Sequence, residues 1–197
     1  MPISYTNRKG VTYTLYRGQT KSGKPRYYFG LGHGPGEPVT EIPPGFIIKE
    51  GVNGVVSLAK DRPSLIQPEE VAAVEEAMKQ PPEARRYRMA VKHNHIEIYE
   101  QFGPSYDTLL SEMEKMTGRS YSGEASWFRS YEESHAQYTP VFRFTLLDPK
   151  QREFGVKRMC YRSSVDGWLE LSKTGPMAEL APALIPTLGT DEFYELW

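Results

Sequence analysis

Three groups of residues have the types and spacing to do chemistry. The first is metal-like. In "HNH", His93 and His95 stand two apart, and a strand would send both imidazoles to one face with Glu97 beside them. "EESH" sets Glu132 and His135 at the helical i, i+3 spacing that carboxylate-bridged metal sites use. A second E-x-x-H is lacking, and the alternation around His93 and His95 points to a turn, so neither pattern makes a complete ligand set. The wider ββα pattern of the nuclease named after the letters HNH is also missing. We expect no metal and no cofactor. The second group is nucleophilic. Cys160 sits mid-strand between Met159 and Tyr161 and reads as a small core residue, and no G-x-S-x-G elbow is present. No catalytic residue is assigned.

The third group is the basic, aromatic run "TKSGKPRYYF". Arg17, Lys21, Lys24 and Arg26 stand at or near a turn, with Tyr13, Tyr16, Tyr27, Tyr28 and Phe29 on its flanks. Cations neutralise phosphates and aromatic rings stack on unpaired bases, so this run can hold single-stranded nucleic acid. The competing reading is a hairpin with an apolar face and a wet tip. Alternation puts Tyr27 and Phe29 on one face and Arg26 with Tyr28 on the other. Arg17, Lys21, Lys24, Arg26 and Tyr28 are therefore the candidate ligand-binding residues. "TKSGK" lacks the first glycine and the following helix of a Walker loop. "GLGHGPG" is followed by prolines and a further hairpin rather than by the helix a dinucleotide fingerprint needs.

Charge is distributed in the same sense. The chain has 197 residues and a net charge of −1, yet residues 1–60 carry +5, residues 61–101 carry −2 and residues 102–197 carry −4. Six cations precede the first acidic residue, Glu37. Such asymmetry marks an anionic partner or is answered by the acidic half of the chain folding against it. A pI near 6.5 argues against a general DNA-coating role. One cysteine rules out an internal disulfide and suits a reducing cytosol. With no run of membrane-spanning length and no signal-like start, the expected compartment is cytoplasmic.

The elements that must position these residues follow from local patterns. "VTYTLY" and "PRYYFGL" form a hairpin through "RGQTKSGK"; "GFIIKE" and "VVSLAK" form a second one turning at Asn53-Gly54. "GLGHGPGEP" reads as loop. Residues 67–80 form a helix opened by Pro68 and closed by Pro81-Pro82. The apolar residues of "RRYRMAVKHNHIEIYEQ" switch parity, which predicts a hairpin turning at His93-Asn94. Residues 105–118 form an amphipathic helix with Leu109, Leu110, Met113 and Met116 as its stripe, Ser105 as its cap and Gly118 as its stop. Trp127, Tyr131, His135 and Tyr138 suggest another helix. "TPVFRFTLLD" and "FGVKRMCYR" pair through "PKQRE". "GPMAELAPALIPTLG" is a proline-interrupted helix, and "TDEFYELW" a last turn capped by Thr190. The fold class is α+β: antiparallel hairpins forming one or two small sheets, with three to four short helices packed on them. The expected lobes are 1–80, basic and ending in a helix, and 83–197, with a four-stranded antiparallel sheet.

The run "TKSGKPRYYF" followed by "EIPPGFIIKE" and "NGVVSLAKDRPSLI" resembles a group of hypothetical bacterial proteins sharing a KxGKPRYYF hairpin. Downstream "YTPVFRFTLLD", "MCYRSSVDGWLEL" and "LGTDEFYELW" resemble the same group. The resemblance covers most of the chain, implies a bacterial cytoplasmic protein, and brings no activity with it. The leading expectation is a non-enzymatic binding protein that engages an anion, single-stranded nucleic acid above all, through the N-terminal hairpin. The alternative is a protein–protein adaptor or complex subunit that docks through Trp168 or the C-terminal "FYELW", with the basic lobe meeting an acidic protein surface. A third reading is an enzyme with an anion pocket formed by Arg143, Lys157, Arg158 and Arg162.

Overall fold

A computed structural model describes the chain except His33, Pro104, Ser105, Ser122, Glu124, Ser163, Ser164 and Trp197. The side chains of Tyr106, Ala125, Arg129, Glu133, Tyr161, Arg162, Val165 and Asp166 are likewise outside the description. The fold is mixed α+β, with antiparallel sheets and short helices. The chain divides into two compact units, residues 1–62 with 110–136 and residues 63–109 with 137–197. No helix is long and apolar enough to cross a membrane among the described residues.

The first unit is built on β2 (Thr12–Gln19), which pairs with β3 (Pro25–Gly30) along one edge. Two short segments share its other edge: β1 (Ser4–Thr6) pairs with residues 12–14, and β4 (Glu37–Pro38) with residues 16 and 17. The β2–β3 turn is shorter than the sequence pattern suggests. The β-rich alternation continues through Gly18 and Gln19, leaving only Thr20–Lys24 as tip. There Gly23 takes φ +76° and the Thr20 hydroxyl accepts the Lys24 amide at 3.1 Å. The second hairpin, β5 (Phe46–Glu50) and β6 (Val56–Lys60), turns through Gly54 at φ +76° as its Asn-Gly pair requires.

Polar joins tie the hairpin to the sheet. The Asn7 side chain is buried, donates to the Gly54 carbonyl at 2.7 Å, and accepts the amides of Lys9 and Val11 at 3.0 and 2.9 Å. The Glu50 carboxylate accepts from the Tyr5 hydroxyl and the Arg8 amide, both at 3.0 Å. Helices α2 (Tyr106–Thr117) and α3 (Ala125–His135) follow the expected segments. The expected α2 stripe is only partly inward: Leu110 is buried, whereas Leu109, Met113 and Met116 are exposed. Gly118 ends α2 at φ +67°; the Ser105 cap lies outside the described residues.

The second unit is a five-stranded antiparallel sheet in the order β11-β10-β9-β8-β7, one strand more than expected. The strands are β7 (Tyr87–Val91), β8 (His95–Gln101), β9 (Tyr138–Asp148), β10 (Glu153–Arg162) and β11 (Val165–Gly175). The added strand, β11, alternates Trp168 and Glu170 with Leu169 and Leu171, a period-two pattern that marks a half-buried strand. One face of the sheet carries Ile96, Ile98, Phe142, Phe144, Phe154, Val156 and Leu171, all buried. Helix α1 (Pro68–Ala77) contributes Val74 and Ala77 to this core. Helix α4 (Met177–Leu184) contributes Met177, Leu180, Ala181 and Leu184. Each fully buried Phe or Leu stabilises the fold by about 1.5–3 kcal/mol. The last helix, α5 (Glu192–Glu195), sets the Phe193 ring edge-on to Phe142 at 5.1 Å. Thr190 does not cap it; its hydroxyl donates to the Thr187 carbonyl at 2.7 Å.

Candidate functional site

Antiparallel register decides which residues of the β2–β3 hairpin share a face. Arg17 is opposite Tyr27, Leu15 opposite Phe29, Tyr16 opposite Tyr28 and Gly18 opposite Arg26. Directly paired residues lie on the same side, so Arg17 shares its face with Tyr27, and Arg26 shares the opposite one with Tyr28. The structure therefore brings Arg26 and Tyr28 together, holds Lys21 and Lys24 at the tip between the faces, and sets Arg17 apart on a strand.

Arg17, Lys21, Lys24 and Arg26 are all exposed. Among the described residues none of them makes an ion pair or a side-chain hydrogen bond. Tyr28 has a different role. Its ring stacks on Tyr16 at 5.8 Å, and its hydroxyl is buried with no hydrogen-bond partner among the described residues. The residue is half-buried, with its ring against Tyr16.

The glycine-rich segment closes over this ring pair. A Cβ on Gly34 would stand 3.0 Å from the Tyr16 ring; one on Gly36 would stand 2.7 Å from the Arg17 carbonyl and 3.0 Å from the Tyr28 hydroxyl. Backbone can approach this closely only where there is no side chain. The Tyr16 hydroxyl also donates to the Gly32 carbonyl. The alternate glycines thus let the chain turn back along β2 and form β4, a strand where the sequence suggests loop. The result is a cavity of about 480 Å³, open to solvent and mainly polar, with Arg17, Gln19, Gly23, Pro25, Gly36 and Glu37 among its walls. Glu37 is a wall residue that the cation pattern does not reveal; its only sequence signal is the glycine spacing before it.

The metal-like residues are dispersed. His93 lies in the β7–β8 turn with Nδ1 2.8 Å from the Pro63 carbonyl. His95 is not in the turn but begins β8, because Ile96 and Ile98 must face the core. Its Nε2 is 3.6 Å from Glu97. Burial, only partly offset by Glu97, holds the His95 pKa below the ordinary histidine value. Glu97 is itself buried, which opposes its ionisation, but the Tyr99 hydroxyl at 2.5 Å and the Arg143 guanidinium at 2.6 Å outweigh burial and keep its pKa low. Burial first, then the bond to Glu97, raises Tyr99. This is a satisfied ionic network on the outer face of the sheet. No group of three metal-ligating side chains occurs among the described residues. In α3 the His135 ring stacks on Tyr131 at 4.1 Å.

The C-terminal cations are also engaged. Arg143 pairs with Glu97 and lies over the Trp168 ring at 4.2 Å; Lys157 is 3.7 Å from Glu170. Arg158 is buried on the core face, where Nε donates to the Leu196 carbonyl at 2.9 Å and Nη2 to the Tyr194 carbonyl at 3.3 Å. The Arg162 side chain lies outside the described residues. Cys160 is half-buried on β10 opposite Gly167. Comparison with family models, curated proteins and solved structures returned no match, so the functional reading rests on this geometry.

Proposed function

We propose that this chain is a non-enzymatic binding protein that engages an anionic partner, single-stranded nucleic acid, through the β2–β3 hairpin. One observation carries the reading: Arg17, Lys21, Lys24 and Arg26 are exposed and without an ionic partner among the described residues. The described cations Arg86, Arg143 and Arg152, by contrast, each hold a carboxylate. Exposed, solvated cations release counterions when phosphates replace them, and this supplies affinity without base contacts. With Tyr16 and Tyr28 stacked on one another, the grip is chiefly on the phosphate backbone. The lone cysteine and the KxGKPRYYF resemblance support a bacterial cytoplasmic setting.

The test is fluorescence anisotropy with a short labelled oligouridine at low salt. Lys21→Glu together with Lys24→Glu is expected to weaken binding at least ~10-fold, since each step reverses a phosphate contact. Unchanged affinity in the double variant, or no binding by the native protein, contradicts the proposal. A second reading, a protein–protein adaptor, has support at the C-terminus, where Tyr194 of "FYELW" is 62% exposed beside the buried Phe193. Trp168, the other expected docking residue, is half-buried beneath Arg143. Affinity capture with and without nuclease separates the two: nuclease-resistant protein partners support the adaptor.

A further inference from the structure

Three side chains with complementary chemistry form a row across β4, β2 and β3. Glu37 is the direct partner of Arg17, and Arg17 is the direct partner of Tyr27. Direct partners share a face, and neighbouring strands are about 4.8 Å apart, so carboxylate, guanidinium and phenol rise side by side from one surface. Arg17 and Glu37 are exposed and both line the polar cavity, and Tyr27 is half-buried at the edge of the Leu15–Phe29 face. Arg17 and Glu37 do not form an ion pair with each other, which leaves both available. The row is held in register by the close contact of Gly36 with the Arg17 backbone.

We propose that the Glu37–Arg17–Tyr27 row reads guanine in the strand that the hairpin holds. This rests on the nucleic-acid reading above and adds base selectivity to it. A carboxylate offers two adjacent acceptors and no donor. Of the bases, only guanine presents two adjacent donors, N1–H and N2–H, on its Watson–Crick edge. Adenine and cytosine pair one donor with a ring-nitrogen acceptor, and uracil flanks its single donor with carbonyls, so each of these sets a lone pair against the Glu37 carboxylate. Unpaired bases in single strands expose this edge and stack on aromatic rings, a place Tyr27 can fill. Arg17, between the two, meets the adjoining phosphate and offsets the repulsion between that phosphate and Glu37.

The test compares short oligouridines carrying one central guanosine, inosine or adenosine, by anisotropy at low salt. The native protein is expected to bind the guanosine strand about 10-fold more tightly than the adenosine strand, the discrimination typical of a two-bond base contact. Inosine, which lacks the N2 amine, should fall between them. Glu37→Gln should abolish the preference, lowering guanosine-strand affinity and raising adenosine-strand affinity as the carboxylate's repulsion of phosphate and of the adenine lone pair is removed, with melting temperature unchanged, and Glu37→Asp, which keeps both acceptors, should retain part of it. Equal affinity of the native protein for all three strands overturns the guanine assignment and leaves the hairpin reading standing, as does a preference that survives in Glu37→Gln. No binding to any strand overturns both.

Discussion

Arg143 on β9 and Glu97 on β8 are direct cross-strand partners, and two guanidinium nitrogens, Nε at 2.9 Å and Nη2 at 2.6 Å, converge on one carboxylate oxygen. The same row continues through Lys157 to Glu170 on β10 and β11. The pair therefore lies in the middle of a charged stripe on the outer face of the second unit, with Glu97 only 7% exposed and the guanidinium lying over the Trp168 ring. Removing Arg143 strands a buried carboxylate. Arg143→Ala is expected to destabilise the protein by about 3 kcal/mol in urea unfolding, within the range for breaking a buried pair. A change under ~1 kcal/mol, the size of a surface bridge, would show that water screens the site.

Acid should act on this network in two steps of the same sign. His95 is held below the usual value of 6.5, so the unfolded chain takes up its proton first; its contribution is complete above that value and is lost as pH falls through the lower folded value. Glu97 is held below 4.5, and its contribution is likewise present above 4.5 and lost on further acidification. Melting temperature should fall as pH drops from about 7 towards 5, and His95→Gln should flatten that first decline. A His95→Gln profile that overlays the native one would contradict the burial of this imidazole.

Arg158 secures the end of the chain. The residue is 5% exposed, and its guanidinium donates to the carbonyls of Tyr194 and Leu196, beyond the reach of α5's own amides. Arg158→Met keeps the stem and removes the donors. It should cost roughly 2 kcal/mol and raise amide exchange at residues 193–196 well before the central strands open. Protection unchanged at these amides would show that Phe193 packing alone holds α5.

Gly36 tests how β4 is seated. An alanine there meets the Arg17 carbonyl at 2.7 Å, and backbone cannot give way as a side-chain end can. Gly36→Ala should cost about 1–3 kcal/mol, the range for overpacking, and shift amide resonances of Arg17 and Glu37 together. A silent substitution would mean that β4 is not registered on β2.

Much of this fold is legible locally. Asn53-Gly54 fixes one turn, the parity switch from Met89 and Val91 to Ile96 and Ile98 fixes another, and Pro68 opens α1. The pairs that give the fold its specificity are not local. Glu70 meets Arg152 across 82 positions, with Nε to Oε1 at 2.8 Å, while its second oxygen accepts the Gln67 amide at 2.8 Å. Nothing in either segment announces the other. The same holds for the candidate site. The cations of "TKSGKPRYYF" stand out by composition, but that Arg17 parts from Arg26 and joins Glu37 follows only from register, and the register depends on glycines that let β4 approach. Strand β11 is a different case: its alternation is plain, but Gly167 and the polar residues around it break the run.

Phosphate binding by the exposed cations of the β2–β3 hairpin is read from the salt dependence of affinity. Affinity for a short oligouridine should fall linearly on a log–log plot against salt, with a slope of about −2 to −3 for three or four phosphates at ~0.7 each. Lys21→Glu together with Lys24→Glu should bring that slope close to zero and take most of the affinity with it. A salt-independent affinity, or a slope that the double variant leaves intact, would contradict phosphate binding by this hairpin.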